Sequence, residues 1–271
     1  MHKISIIVVC LNPGQKLIDT MESIMSQSYD NYEVVVKDGF SKDGSIDALK
    51  TWLETTGAKI ADKVQIHQLQ DKSIYEAMNQ AVALATGEFL YFLNCGDDFY
   101  SSEALKEAVA EMEQYPEGKL FYGNVYDMIR ESVVQSNPKM DAFACYRHVP
   151  CHQSCIYHKS LFAERGYKPE YRVRADYEHF LWCFFAQKVM PQYIPVVLAN
   201  YEGGGFSETK ANRIRSANEH KEIVATYMSK GQLVKYKIIM LLSLQPVRTW
   251  MAESKLFGGF YQALKKMLYK R

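Results

Sequence analysis

The chain has 271 residues, 48% of them hydrophobic and 23% charged, with a formal net charge of +1. That composition excludes global disorder, and the near-zero charge argues against a nucleic-acid partner, which usually demands a marked basic excess. The length suits one large domain, or one domain with a helical appendage.

Ile4–Cys10 (ISIIVVC) is a near-continuous apolar run, as a strand covered on both faces requires. Lys16–Ser26 repeats apolar residues at Leu17, Met21, Ile24 and Met25 with helical spacing. Tyr32–Val36 reads as a second strand and Ser45–Leu53 as a second helix. Val64–Leu69 is a third strand, and Ile74–Ala85 a third helix with Asp71 or Ser73 near its cap. Phe89–Leu93 and Ser102–Tyr115 complete the alternation, which predicts a doubly wound, mostly parallel α/β sheet.

Leu120–Val134 splits at Ile129-Arg130 into two strand-like pieces, a hairpin suited to a short antiparallel extension of the sheet. A strand at Ser154–Tyr157, a short helix near Ser160–Arg165, an apolar helix at Asp176–Gln187 and a strand at Tyr193–Asn200 follow. A Gly203-Gly204-Gly205 loop then opens a long helix to about Met228. From Lys230 to Arg271, nine Lys or Arg face a single acid, Glu253, beside Trp250, Phe257, Phe260 and Tyr261. Such C-terminal helices either lie in an anionic membrane interface or dock on the core or on a second subunit, which would make a homo-oligomer. The expected organisation is a domain over 1–207, with halves 1–100 and 101–207, and a helical region over 208–271.

Met1-His2-Lys3 leads straight into a strand, so no leader is expected, and no apolar run reaches the ~18 residues of a membrane span. The expected location is cytoplasmic, with peripheral contact at the inner face of the membrane through the basic tail. There the six cysteines should remain thiols. Cys151-His152-x-x-Cys155-x-x-His158 holds zinc-ligand residue types without a C-x₂-C spacing, and buried thiols are the expectation.

Carboxylates fall at three predicted strand ends: Asp38, Asp71 and the pair Asp97-Asp98 in FLYFLNCGDDFY. In a parallel sheet those ends share one edge, where open α/β sheets bind ligands. Adjacent carboxylates repel unless a cation or hydrogen-bond donors share the site. Mg²⁺ and Mn²⁺ prefer hard oxygen ligands and bridge phosphates, so a metal–nucleotide site is one reading of Asp97-Asp98. A cap for the following helix is the other.

The stretches Ser5–Asn12 (SIIVVCLN), Ser23-Ile24-x-x-Gln27-Ser28-Tyr29, and Tyr32–Ser45 (YEVVVKDGFSKDGS) resemble a family 2 glycosyltransferase of the GT-A fold. So do Asp71–Asn79 (DKSIYEAMN), Ala85–Glu88 (ATGE) and Leu93–Asp98 (LNCGDD). The resemblance is close over residues 3–100, looser to 207, and nearest to bacterial exopolysaccharide and colanic-acid-type enzymes. It implies that Asp38 contacts the uracil ring of a UDP-sugar, with Leu11 and Asn12 lining the nucleotide pocket. Asp71 would be a second nucleotide contact, and Asn79 a polar group on the helix beneath it. Asp97, with Asp98 beside it, would hold Mg²⁺ or Mn²⁺ on the diphosphate, although Asn94 and Gly96 stand where acids are common. Asp176, in Arg174-Ala175-Asp176-Tyr177-Glu178, would be the base, with Glu178 the runner-up. His152 and Gln153 would touch acceptor or donor sugar.

The activity so implied is inverting transfer from a nucleotide-sugar to a hydroxyl of a lipid-linked saccharide in bacterial polysaccharide assembly. Two alternatives stand beside it: a polyprenyl-phosphate glycosyltransferase of the same fold, and a non-catalytic nucleotide-sugar-binding component of an assembly complex. No G-x-G-x-x-G follows the first strand, which argues against a NAD-dependent Rossmann enzyme.

Overall fold

The structure is a computed structural model that describes residues 2–202 and 209–242. Its first half alternates β1 (Ile4–Cys10), α1 (Lys16–Met25), β2 (Tyr32–Asp38), α2 (Ser45–Glu54), β3 (Val64–Gln68), α3 (Ile74–Leu84) and β4 (Phe89–Phe92). A 3₁₀ turn at Ala58–Lys63 precedes β3. β5 (Asp98–Phe99), α4 (Ala104–Met112), β6 (Leu120–Asp127), β7 (Ser132–Val134), α5 (Ala142–Arg147) and β8 (Cys155–His158) follow. The remainder is α6 (Ala175–Phe185), β9 (Gln192–Tyr201), α7 (Lys210–Tyr227) and α8 (Lys230–Leu242).

One sheet runs in the order β3-β2-β1-β4-β8-β6-β9-β5, with β7 paired to β6. β3, β2, β1 and β4 are mutually parallel, so their carboxyl ends share an edge. β8 lies antiparallel between β4 and β6, β9 is parallel to β6, and β5 is antiparallel to β9. The sequence predicts a mostly parallel sheet with a short antiparallel extension, and β7, β8 and β5 form it.

β1, β2 and β4 are buried on both faces because helices cover both sides. Leu17, Met21 and Ile24 of α1, Ile46 and Leu49 of α2, and Leu105 and Val109 of α4 share one core with the strands, while α3 packs against β1 and β2. At the edge opposite the carboxyl ends, buried Glu33 ties strands together. It accepts from Ser5 Oγ at 2.6 Å, Lys3 Nζ at 2.8 Å and Thr86 Oγ1 at 2.5 Å. Burial works to raise its pKa, but these hydrogen bonds outweigh it and hold the carboxyl down at about 2. Gly87 is required beside it, since a Cβ there would stand 2.7 Å from Ser5 N.

Two compact units are present, Met1–Lys221 and Glu222–Arg271. The first includes the opening turns of α7, past the boundary expected at residue 207, because Ser216, Glu219 and His220 hydrogen-bond into it. In α8, Val234, Ile238, Leu241 and Leu242 are all more than half exposed, and their spacing puts them on one face. None of the described helices is long and apolar enough to cross a membrane. The Gly203–Gly205 loop and Trp250, Phe257, Phe260 and Tyr261 lie outside the described residues.

Candidate active site

A cleft of about 800 Å³ opens beside the end of β4. Its walls bring Asp97 from the first half of the chain together with Gln153, His152 and Asp176 from the second. Lys16, Arg130, Arg172 and Arg174 also line it, the first two paired with Glu202 and Asp127 of the same lining.

The turn that carries Asp97 is built locally. Asp97 N–H donates to Asn94 O at 2.8 Å, and Gly96 adopts φ +100°, a conformation other residues rarely take. That backbone requirement explains glycine where the resemblance leads one to expect an acid. Thr20 of α1 braces the turn from below, accepting from Gly96 N–H and donating to the Asp97 carbonyl. Gln153 Nε2 then donates to Asp97 Oδ2 at 3.1 Å, while the Cys151 thiol donates to Gln153 Oε1 at 2.9 Å. Burial raises the Asp97 pKa to about 6, against the Gln153 hydrogen bond that lowers it, with Asp98 and Glu202 adding repulsion. The neighbouring Asn94 Oδ1 is a buried acceptor without a hydrogen-bond partner.

Asp98 takes a different course. It belongs to β5, receives Asn200 Nδ2 at 2.8 Å, and does not line the cleft. The cap reading of the pair does not hold either, because α4 begins at Ala104 and its capping position is Glu103.

Asp176 stands in the first turn of α6, where the helix dipole favours an anion. Its Oδ1 lies 2.9 Å from the Tyr75 hydroxyl. His152 has both ring nitrogens buried without hydrogen-bond partners, and burial pushes its pKa down, against the attraction of Asp176. An imidazole so placed is neutral, with one donor and one acceptor to offer.

Glu178 is corrected. It is 1% exposed and bound by Arg165 through two hydrogen bonds of 2.9 and 3.0 Å, with Lys168 at 3.4 Å, away from the cleft. Two residues along the helix turn it about 200° from Asp176, so it faces the other side and braces α6. Asn79 lies on α3 and spends its side chain on the backbone of another segment. It accepts from Tyr167 N–H and donates to Tyr167 O, both at 2.8 Å, clamping the backbone beside Gly166.

Leu11, Asn12, Asp38 and Asp71 gather at the carboxyl ends of β1, β2 and β3, outside the lining of the cleft. Asp38 is fully buried and commits its oxygens to Ser41 N–H, Ser41 Oγ and Gln68 Nε2. It shapes the turn at Gly39–Ser41. Asn12 completes that lacing through Ser41 Oγ and Lys42 N–H. Asp71 pairs with the fully buried Lys37, and Leu11 and Phe40 stay half or more exposed at this edge. Sequence reasoning missed Lys16, Lys37 and Tyr75. The last lies within DKSIYEAMN, but its partner 101 residues away is invisible to spacing.

The glycosyl transferase family 2 model matches residues 5–166, which carry β1 to β8 and the Asp97 turn. This chain belongs to that family. As a family 2 glycosyltransferase it is 32% identical over 207 residues to a PGL/p-HBAD biosynthesis glycosyltransferase of Mycobacterium bovis (strain BCG / Pasteur 1173P2), covering 76% of this chain and 79% of the relative. It is 28% identical to the Escherichia coli UDP-Glc:alpha-D-GlcNAc-diphosphoundecaprenol beta-1,3-glucosyltransferase WfaP, over 57% of this chain and 59% of that one. Among solved structures, the mannosyltransferase PcManGT of Pyrobaculum calidifontis, in complex with GDP-Man and Mn²⁺, superposes with a TM-score of 0.65. The match covers 99% of this chain and 87% of that chain at 16% identity, a likeness that shows the GT-A fold.

Proposed function

We propose that this glycosyltransferase moves a sugar, with inversion, from a UDP-sugar to a hydroxyl of a lipid-linked saccharide. The observation that carries the reading is one cleft in which two of the lining carboxylates have distinct settings. Asp97 is buried with a raised pKa, and Asp176 is fixed by Tyr75 at a helix N-terminus.

A divalent cation fits the Asp97 turn. Among the described residues no group of three His, Cys, Asp or Glu could hold a metal. Yet Mg²⁺-type ions are commonly bound by one or two carboxylates together with substrate phosphates and water. Asp97 would supply the carboxylate and Asn94 Oδ1 a neighbouring oxygen. The ion would neutralise charge developing on the departing diphosphate. PcManGT, solved with Mn²⁺, supports this assignment by analogy of fold.

Asp176 accepts the proton of the acceptor hydroxyl, and one base acting in a single displacement gives inversion. Tyr75 orients its carboxylate. Lys16, Arg172 and Arg174 line the wall where phosphates would lie, and neutral His152 offers a hydrogen bond to a sugar hydroxyl. Leu11, Asn12 and Asp71 frame the nucleobase edge. WfaP, whose name specifies a diphosphoundecaprenol acceptor, supports a lipid-linked substrate. Contact of the lysine-bearing α8 with an anionic membrane surface suits an enzyme with a lipid-linked acceptor.

Calorimetric titration with UDP- and GDP-sugars, with and without Mn²⁺, tests the donor. Metal-enhanced binding of a UDP-sugar is expected, and no metal-enhanced binding to any of them refutes the reading. Asp176→Asn should then lower turnover by roughly 10²–10⁴-fold with donor affinity unchanged. Near-normal turnover in that variant would favour a phosphate acceptor, which needs no base.

A further inference from the structure

The segment that delivers Asp176, Arg172-Val173-Arg174, precedes the first turn of α6, so its N–H groups need partners from elsewhere. A single side chain supplies them. Glu219 of α7 accepts from Arg172 N–H at 2.9 Å through Oε1, and from Val173 N–H at 3.0 Å and Arg174 N–H at 2.9 Å through Oε2. It is 8% exposed.

Ser216, nearly one turn earlier on α7, accepts the Arg174 Nε–H through Oγ at 2.7 Å and O at 2.9 Å. From the other flank the Tyr75 hydroxyl meets both Val173 O and Asp176 Oδ1 at 2.9 Å. Three amides on one carboxylate are charge-assisted hydrogen bonds, stronger and more directional than neutral ones. Burying that charge is costly without such partners, so the arrangement fixes a backbone path more than it fills space.

We propose that Glu219 is a positioning residue for Asp176: it straps the 172–174 backbone so that the carboxylate keeps its place in the cleft. This rests on the reading of Asp176 as the base. Small misplacements of a reacting group cost large factors in rate, so the strap should show in kcat and not in donor binding.

The test compares Glu219→Gln and Glu219→Ala in the full chain. Glutamine keeps one acceptor oxygen but turns an amino group toward the amides. We expect kcat to fall about tenfold in the first and about a hundredfold in the second. KM for the donor and metal-dependent UDP affinity should stay within about twofold. Hydrogen exchange should quicken at the amides of residues 172–174 while β1 and β4 stay protected. Should the alanine variant fail to fold, the glutamine variant decides. If Asp176→Asn abolishes turnover but Glu219→Gln leaves kcat and exchange as in the parent, the strap is refuted and the base assignment stands. Parallel losses in donor affinity and in protection throughout the sheet would also refute it, since they mark general loosening. If Asp176→Asn is active, the base reading fails first.

Discussion

At the scale of single residues, the chemistry of the cleft turns on how each carboxylate is housed. Burial raises the Asp97 pKa to about 6, so below that pH protons would compete with the proposed cation. Mn²⁺ affinity of the UDP complex should weaken by up to about tenfold per pH unit below 6 and level off above it. Asp97→Asn should abolish both the metal enhancement and the pH dependence; calorimetry at pH 5, 6 and 7 checks this. Glu33 shows the opposite sign. Its folded pKa of about 2 lies below the ordinary 4.5, so it contributes stability above about pH 4.5 that is lost as pH falls toward 2. Glu33→Ala, which takes the acceptor from the buried Ser5 hydroxyl and the partner from Lys3, should destabilise by about 3 kcal/mol. Denaturant unfolding at pH 7 and pH 3 should show a smaller difference between parent and variant at the lower pH. Equal differences at both would be against it.

At the scale of elements, what was legible is what repeats. The near-continuous apolar run of β1 and the 3.6-residue periodicity of α1 and α3 mark those elements to within a residue or two. β5 was not legible. A two-residue strand has no periodicity, and it exists only because β9 supplies an edge for Asp98 and Phe99. α5 was missed for a related reason, being six residues held by an Asp141 cap. Site residues divide along the same line. Asp97 and Asp176 could be named from motif positions, whereas the roles of Asn79 and Glu178 depend on partners brought in by folding. α8 carries an element-scale expectation of its own. Its exposed stripe at Val234, Ile238 and Leu241 sits on a helix with three lysines and no acid, which suits an anionic bilayer surface. Ile238→Asp with Leu241→Asp should reduce co-sedimentation with phosphatidylglycerol vesicles several-fold, with little change for phosphatidylcholine. Unchanged sedimentation would remove the membrane role from this helix.

At the scale of the whole molecule, the fold class was legible because the β-α alternation of the first half needs no long-range information. The second half was not, since β8 and β9 insert out of sequence order between and beyond earlier strands, and short apolar runs do not announce their neighbours. That insertion has a consequence for the order in which the molecule can be made. Asp97 is gripped by a residue 56 positions later and its neighbour Asp98 by one 102 positions later. During synthesis every motif of the first hundred residues leaves the ribosome while these grips are still unmade. The nascent chain therefore displays its family signature long before the residues that wall Asp97 and strap the Asp176 segment have been made.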